Sequence, residues 1–243
     1  YDCNGVIFHS GDLTESSIVS KKYVTDAREI YDKLRSGNDL DEKLSDYKSE
    51  LEDEFGELSE EVDINVLKSI YADLYFREGL SDNSGIYSMI LRELDDLGEG
   101  KDSKVAFVLG NHDLAYELFK PRFDELSLDY LEFVDREVKE INGVKVAGFG
   151  GSPELPRGSL PQLLNAYSRD EVGLSRLEAA LEELKENDLS GVDVLLTHKA
   201  PGYGQVFNPK FQEIVKELIK GVSPEYVLSG HFHGGQLIDG KFS

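Results

Sequence analysis

Five histidines occur in the chain: His9, His112, His198, His231 and His233. Each lies at or just past the end of a segment that reads as a β-strand. The apolar run Val6, Ile7, Phe8 stops at His9, Ser10, Gly11 and Asp12. Val105 to Leu109 leads into Gly110, Asn111, His112 and Asp113, and Val192 to Leu196 into Thr197 and His198. Tyr226 to Leu228 leads into Gly230, His231, Phe232 and His233. Short apolar runs halted by glycine read as buried strands entering loops. Open α/β sheets bind ligands beyond the carboxyl ends of their strands. Four such ends therefore deliver a carboxylate, an amide with an imidazole, a second imidazole, and a His-x-His pair. Imidazole nitrogen with carboxylate and amide oxygen suits manganese, iron, zinc or nickel better than calcium or copper(I). Gly11, Gly110 and Gly230 stand beside these donors and permit close backbone approach.

Singly, each feature has an ordinary explanation. Gly-Asp after a strand is commonly a turn, an isolated histidine is commonly structural, and alternate residues of any strand share a face. The ordered set is more specific. Gly11-Asp12, then Gly110-Asn111-His112-Asp113, then His198, then Gly230-His231-Phe232-His233 resembles the signature of the calcineurin-like metallophosphoesterases. Thr197 to Pro201 and Gly230 to Gln236 are similar to the versions in prokaryotic and archaeal phosphodiesterase-like members. The resemblance covers most of the chain apart from a helical segment.

It implies a four-layer α/β sandwich with two facing mixed β-sheets, here carrying an acidic helical insertion. It implies two divalent metal ions (manganese, iron, zinc or nickel) bridged by Asp12. Asn111, His198 and His231 would complete one metal site, and His233 would belong to the other. His112 would bind no metal and would stabilise or protonate the leaving oxygen, with Asp113 orienting it through a carboxylate–imidazole contact. The reaction implied is hydrolysis of a phosphodiester or phosphomonoester by a metal-bound hydroxide. Paired cations about 3.5–4 Å apart lower the pKa of a shared water and offset charge on the phosphoryl oxygens.

Members of the family carry an Asp-x-His on a strand well before Gly-Asp. The ten residues before Gly11 contain none, and Asp2 to Gly5 lies too close to Asp12 to form a separate strand. The expectation is a single domain over 1–243, truncated at both ends, with the His233 metal site short of two ligands and activity weak or absent. His9, three residues before Asp12, reads as a satisfied structural histidine rather than a substitute ligand. The rival to an enzyme is a non-catalytic metal-binding or scaffold protein whose acidic helical arm binds a partner.

The elements that must position these residues can be read as well. Between the first two strand ends, about 20–97, the pattern is helical. Leu44, Tyr47, Leu51, Phe55, Leu58 and Val62 form one stripe at helical spacing. Ile30 and Leu34 mark an earlier helix, and Val66, Ile70 and Leu74 a later one. Gly37 and the segment from Gly79 to Gly85 read as breaks. The narrow stripe suggests a helical hairpin laid on the domain, or an arm for a partner. Beyond it, Val144 to Phe149 reads as a strand. Leu174, Leu177, Leu181 and Leu184 mark one amphipathic helix, and Phe211, Ile214, Val215 and Leu218 another. Asp239-Gly240 reads as a hairpin turn. Specificity is expected in the loops Gly150 to Gln162 and Pro201 to Pro209.

Composition narrows the partners. The chain has 243 residues, is 40% hydrophobic and carries a net charge of −22. That length buries a full core. The acidic balance disfavours nucleic acid and anionic membranes; among the phosphate esters that the resemblance implies, a small-molecule one is therefore expected. No apolar run approaches the roughly 20 residues that span a bilayer. One cysteine, Cys3, excludes an internal disulfide and thiolate clusters, which fits a cytoplasmic protein.

Overall fold

A computed structural model describes residues 2–3, 5–13, 16–38, 40–59, 61, 63–77, 86–152, 164–167, 171–199 and 209–230. Among them are eight strands in two sheets and seven helices. The first sheet runs β1 (Asp2–Cys3), β2 (Val6–His9), β3 (Lys104–Phe107), β4 (Leu131–Phe133). The second runs β5 (Val138–Ile141), β6 (Val144–Phe149), β7 (Val194–Lys199), β8 (Tyr226–Gly230). Each has one antiparallel edge strand, β1 or β5, and three parallel strands. Parallel pairing forces crossovers. They are supplied by α1 (Ser16–Ser36), α2 (Glu42–Phe55), α3 (Ile64–Arg77) and α4 (Ile86–Lys101) between β2 and β3. Single helices serve the rest: α5 (Tyr116–Asp124), α6 (Glu171–Lys185) and α7 (Pro209–Val222).

Side-chain alternation along the strands sorts the core into layers. Val105, Phe107 and Leu109 point into one cluster with Tyr31, Tyr71, Tyr75, Phe76, Tyr87 and Phe119 of the helices. Ala106 and Val108 point the other way and meet Val146, Val194 and Leu196 of the second sheet. Ala147, Phe149 and Leu195 pack outward on Leu177, Leu181, Leu184 and Leu218 of α6 and α7. The order is thus helix, sheet, sheet, helix: the four-layer sandwich, with two mixed sheets face to face.

The helical segment forms most of one outer layer. Rings step from α3 through α4 to α5, with Phe76–Tyr87 centroids 5.7 Å apart and Tyr87–Phe119 5.5 Å apart. Arg122 of α5 adds a 2.8 Å ion pair to Asp73 of α3. Burying an aromatic side chain stabilises by about 1.5–3 kcal/mol. Tyr31, Tyr71, Tyr75, Phe76 and Tyr87 are all fully buried. They share one cluster with Val105 and Phe107 of the first sheet, so this layer is integral to the fold. The stripe from Leu44 is laid on it, with Tyr47, Leu51 and Leu58 buried. The helix stops at Phe55, earlier than the stripe, because Gly56 takes φ 89° and turns the chain out.

Two residues suffice for β1. Asp2 pairs with Ile7 and Cys3 with Val6 around Gly5, so this short segment does form a strand, contrary to its reading from sequence. No helix among the described residues is long and apolar enough to cross a membrane. The Asp239-Gly240 turn, the Gly79 to Gly85 break, the Pro201 to Pro209 loop up to its last residue and most of the 150–162 loop lie outside the described residues.

Candidate metal centre

The parallel strands of both sheets end at one edge, where the loops after β2 and β3 meet the end of β7. The first two touch backbone to backbone. A Cβ on Gly11 would lie 2.3 Å from the Gly110 nitrogen, and one on Gly110 would lie 2.1 Å from Asp12 Oδ1. Only glycine fits at either place. Asp12 follows at φ 56°, a left-handed conformation that Asp tolerates better than most residues.

The two loops exchange hydrogen bonds reciprocally. The backbone N–H of His112 donates to Asp12 Oδ1 at 3.1 Å. The backbone N–H of Leu13 donates to Asp113 Oδ2 at 3.2 Å, an oxygen that also accepts from Gly110 N at 2.7 Å. Asp113 Oδ1 accepts from the Tyr87 hydroxyl at 3.0 Å. Asp113 is fully buried. Burial pushes its carboxyl up to about 7; the Gly110 and Leu13 amides pull it down, and Asp12 adds to the rise. The resemblance gives Asp113 the task of orienting His112; its two oxygens also accept from the Gly110 and Leu13 amides and from Tyr87.

His198 is fully buried and Asn111 nearly so. The His198 Nδ1 stands 2.7 Å from the Ser10 carbonyl oxygen. A carbonyl only accepts, so Nδ1 carries the proton; in the neutral ring Nε2 then presents its lone pair. That Nε2 faces Asn111 Oδ1 at 2.9 Å and Asp12 Oδ2 at 3.6 Å. Three electron-pair donors thus converge on one point. Ligand atoms about 2.0–2.2 Å from a shared divalent ion stand roughly 3–3.5 Å from one another, so the set fits such an ion.

Asp12, Asn111 and His198 are therefore brought together, and the His112 backbone lies in the same loop with its side chain partly exposed. His231 and His233 lie outside the described residues, although Gly230 packs against Ser10: a Cβ there would meet Ser10 Oγ at 2.2 Å. Among the described residues no three His, Cys, Asp or Glu side chains cluster as a metal site. Asp12 and His198 supply two of that kind, and Asn111 is an amide. His9 uses its Nδ1 to accept from Gly11 N at 3.3 Å; burial lowers its pKa, and Asp12 opposes the shift.

Three participants escape a reading of the sequence. The Ser10 carbonyl sets the His198 tautomer, and any residue has a carbonyl. Tyr87 reads as a core aromatic. Asp135, just past β4, accepts from Leu109 N at 3.2 Å and Gly150 N at 2.9 Å, tying the end of β3 to the end of β6. Burial raises its pKa, and the neighbouring Arg136 opposes the rise.

A family model described as calcineurin-like phosphoesterase matches residues 48–235. The matched stretch contains Asn111, His112, Asp113, His198, His231 and His233 and begins after Asp12. A solved crystal structure aligns at 15% identity over 97% of this chain and 76% of its own, with a TM-score of 0.49. The crystal structure of TT1561 of Thermus thermophilus aligns at 22% identity over 58% of this chain and 61% of its own, with a TM-score of 0.39. Among curated proteins, none matches the chain.

Proposed function

The chain belongs to the calcineurin-like phosphoesterase family, and on that premise we propose that it hydrolyses a small-molecule phosphodiester or phosphomonoester with the help of two divalent metal ions. One observation carries the proposal. The lone pair of His198 Nε2, the Asn111 oxygen and the Asp12 carboxylate face one another across 2.9 and 3.6 Å. A divalent cation placed among them would take an electron pair from each. Asp12, Asn111 and His198 would hold one ion with His231, and Asp12 and His233 would contribute to the other. Bound there, the ions supply Lewis acidity toward water and toward the phosphoryl oxygens.

The chain's own residues do the rest. Ser10 fixes the tautomer of His198 through Nδ1, leaving Nε2 for the metal. The Asp12 carboxylate is aimed by the His112 amide. His112 binds no metal; its side chain donates a proton to, or a hydrogen bond toward, the leaving oxygen. The metal ions also let a chain of charge −22 accept an anionic substrate.

A second reading uses the same atoms. With its amide turned over, Asn111 would donate Nδ2–H to His198 Nε2, a metal-free lock suited to a scaffold. Calorimetry with Mn2+, Zn2+, Ni2+ and Fe2+, with hydrolysis of aryl phosphate mono- and diesters in parallel, separates the two. Metal uptake that displaces the His198 ring signals is expected, with weak metal-dependent turnover. A protein that takes up none of the four ions and cleaves neither ester overturns the proposal in favour of the lock.

A further inference from the structure

Helix α4 makes its polar contact with the metal loop through the Tyr87 hydroxyl. The Tyr87 hydroxyl donates its only proton to Asp113 Oδ1 at 3.0 Å and accepts from Leu114 N at 2.8 Å. It therefore binds both the carboxylate of residue 113 and the peptide that leaves it. The opposite end of the same loop is held by Gly110 N on Asp113 Oδ2, and the neighbouring loop by Leu13 N on that oxygen. Asn111 and His112 lie between these anchors. Tyr87 and Asp113 are both fully buried, so water does not replace a bond lost here without a local opening.

We propose that Tyr87 is a positioning residue for the metal loop. Its hydroxyl fixes the orientation of Asp113, and through it the placement of Asn111 and His112 against Asp12. The inference rests on the metal-centre reading above and extends it to a residue of the helical segment. None of the residues assigned to the metal above belongs to that segment, yet it completes the support of two residues that would face the metal and the substrate. The ring of Tyr87 belongs to the aromatic stack, 5.5 Å from Phe119 and 5.7 Å from Phe76, which holds the hydroxyl at a set depth. Ring and hydroxyl thus have separable duties.

Tyr87→Phe removes the second duty and keeps the first. Tyr31→Phe is the matched control, because Tyr31 is equally buried in the same layer and its hydroxyl donates to the backbone carbonyls of Ser59 and Glu61. In the full chain, calorimetry with Mn2+ is expected to show affinity about ten-fold lower for Tyr87→Phe, at the gentle end of what losing a ligand's supporting contact does. Tyr31→Phe should bind Mn2+ as the parent does while melting a few degrees lower. NMR of the metal-free protein gives a readout independent of metal and turnover. Tyr87→Phe should shift the Asn111 side-chain amide and His198 ring signals and speed exchange of the Leu114 amide; Tyr31→Phe should shift none of them. If the parent takes up no metal, the proposed function fails, and the metal-free spectra still decide the role of Tyr87. Unmoved Asn111 and His198 signals in Tyr87→Phe overturn the inference, even if stability falls as in the control.

Discussion

Replacing Gly110 with alanine should remove metal binding without unfolding the protein. The added Cβ would stand 2.1 Å from Asp12 Oδ1, 1.3 Å short of the 3.4 Å at which ordinary contact begins. A change of rotamer at Asp12 does not relieve the clash, because its backbone nitrogen lies 2.2 Å from the same Cβ. The carboxylate must therefore move by about an ångström, whereas metal–ligand distances tolerate roughly 0.2 Å. An affinity loss of about 100-fold or more is expected, at or beyond the upper end for disturbing a ligand's support. The overpacking itself costs about 1–3 kcal/mol of stability, or several degrees of melting temperature in a chain of this size. Gly98→Ala is the comparison. Its Cβ would meet Tyr130 Cβ at 2.6 Å and Ser103 O at 2.8 Å, on the helical side of the first sheet. A similar fall in melting temperature with unchanged metal affinity is expected there. Titration calorimetry with Mn2+ and a thermal melt of each variant supply both readings. A Gly110→Ala protein that melts like Gly98→Ala and binds Mn2+ within two-fold of the parent would refute the reasoning.

His112→Ala should keep near-normal metal content, by elemental analysis, and lose about 10²–10⁴-fold in turnover; equal loss of metal would make His112 a ligand. Asp12→Asn should lose metal and activity together while melting no lower than the parent, since Asn also tolerates the left-handed backbone at this position. Asp113→Asn turns an acceptor for three donors into a mixed group and should cost about 1–3 kcal/mol by chemical denaturation; an unchanged midpoint would show that those bonds do not matter. Asp188 should titrate near 2 by carboxyl NMR, held down by the Ser190 hydroxyl at 2.6 Å and by Lys145. Because its folded pKa is depressed, its stabilising contribution is present above the ordinary carboxylate range and is lost as pH falls toward 2; a midpoint near 4 would remove that contribution.

The strand ends were legible because each combines a continuous apolar run with glycine and a metal-type donor. Runs such as Val105 to Leu109 are buried on both faces, so burial leaves its mark on every residue. The helices from Leu44 to Leu74 were legible from periodicity. What periodicity could not show was their role as a full outer layer, because a stripe looks alike on a docked helix and on a free arm. Of the site, donor types were visible and second partners were not. Ser10 acts through its backbone, Tyr87 hides a polar tip in an aromatic stack, and Asp135 resembles any turn aspartate. The left-handed Asp12 and Arg136 likewise depend on contacts made far along the chain.

The reciprocal bonds between the loops at Asp12 and Asp113 join residues 100 positions apart. Closing a loop of that length costs about 4 kcal/mol of chain entropy, and such long-range pairing slows folding. Helices α1 to α4 lie inside the loop and shorten it once they are packed. Neither β2 nor β3 can present its donors in register until that closure is complete. During refolding, the rate of Mn2+ capture should therefore follow the docking of the helical layer rather than the appearance of helix, and a metal-sensitive dye would time the final closure of the chain.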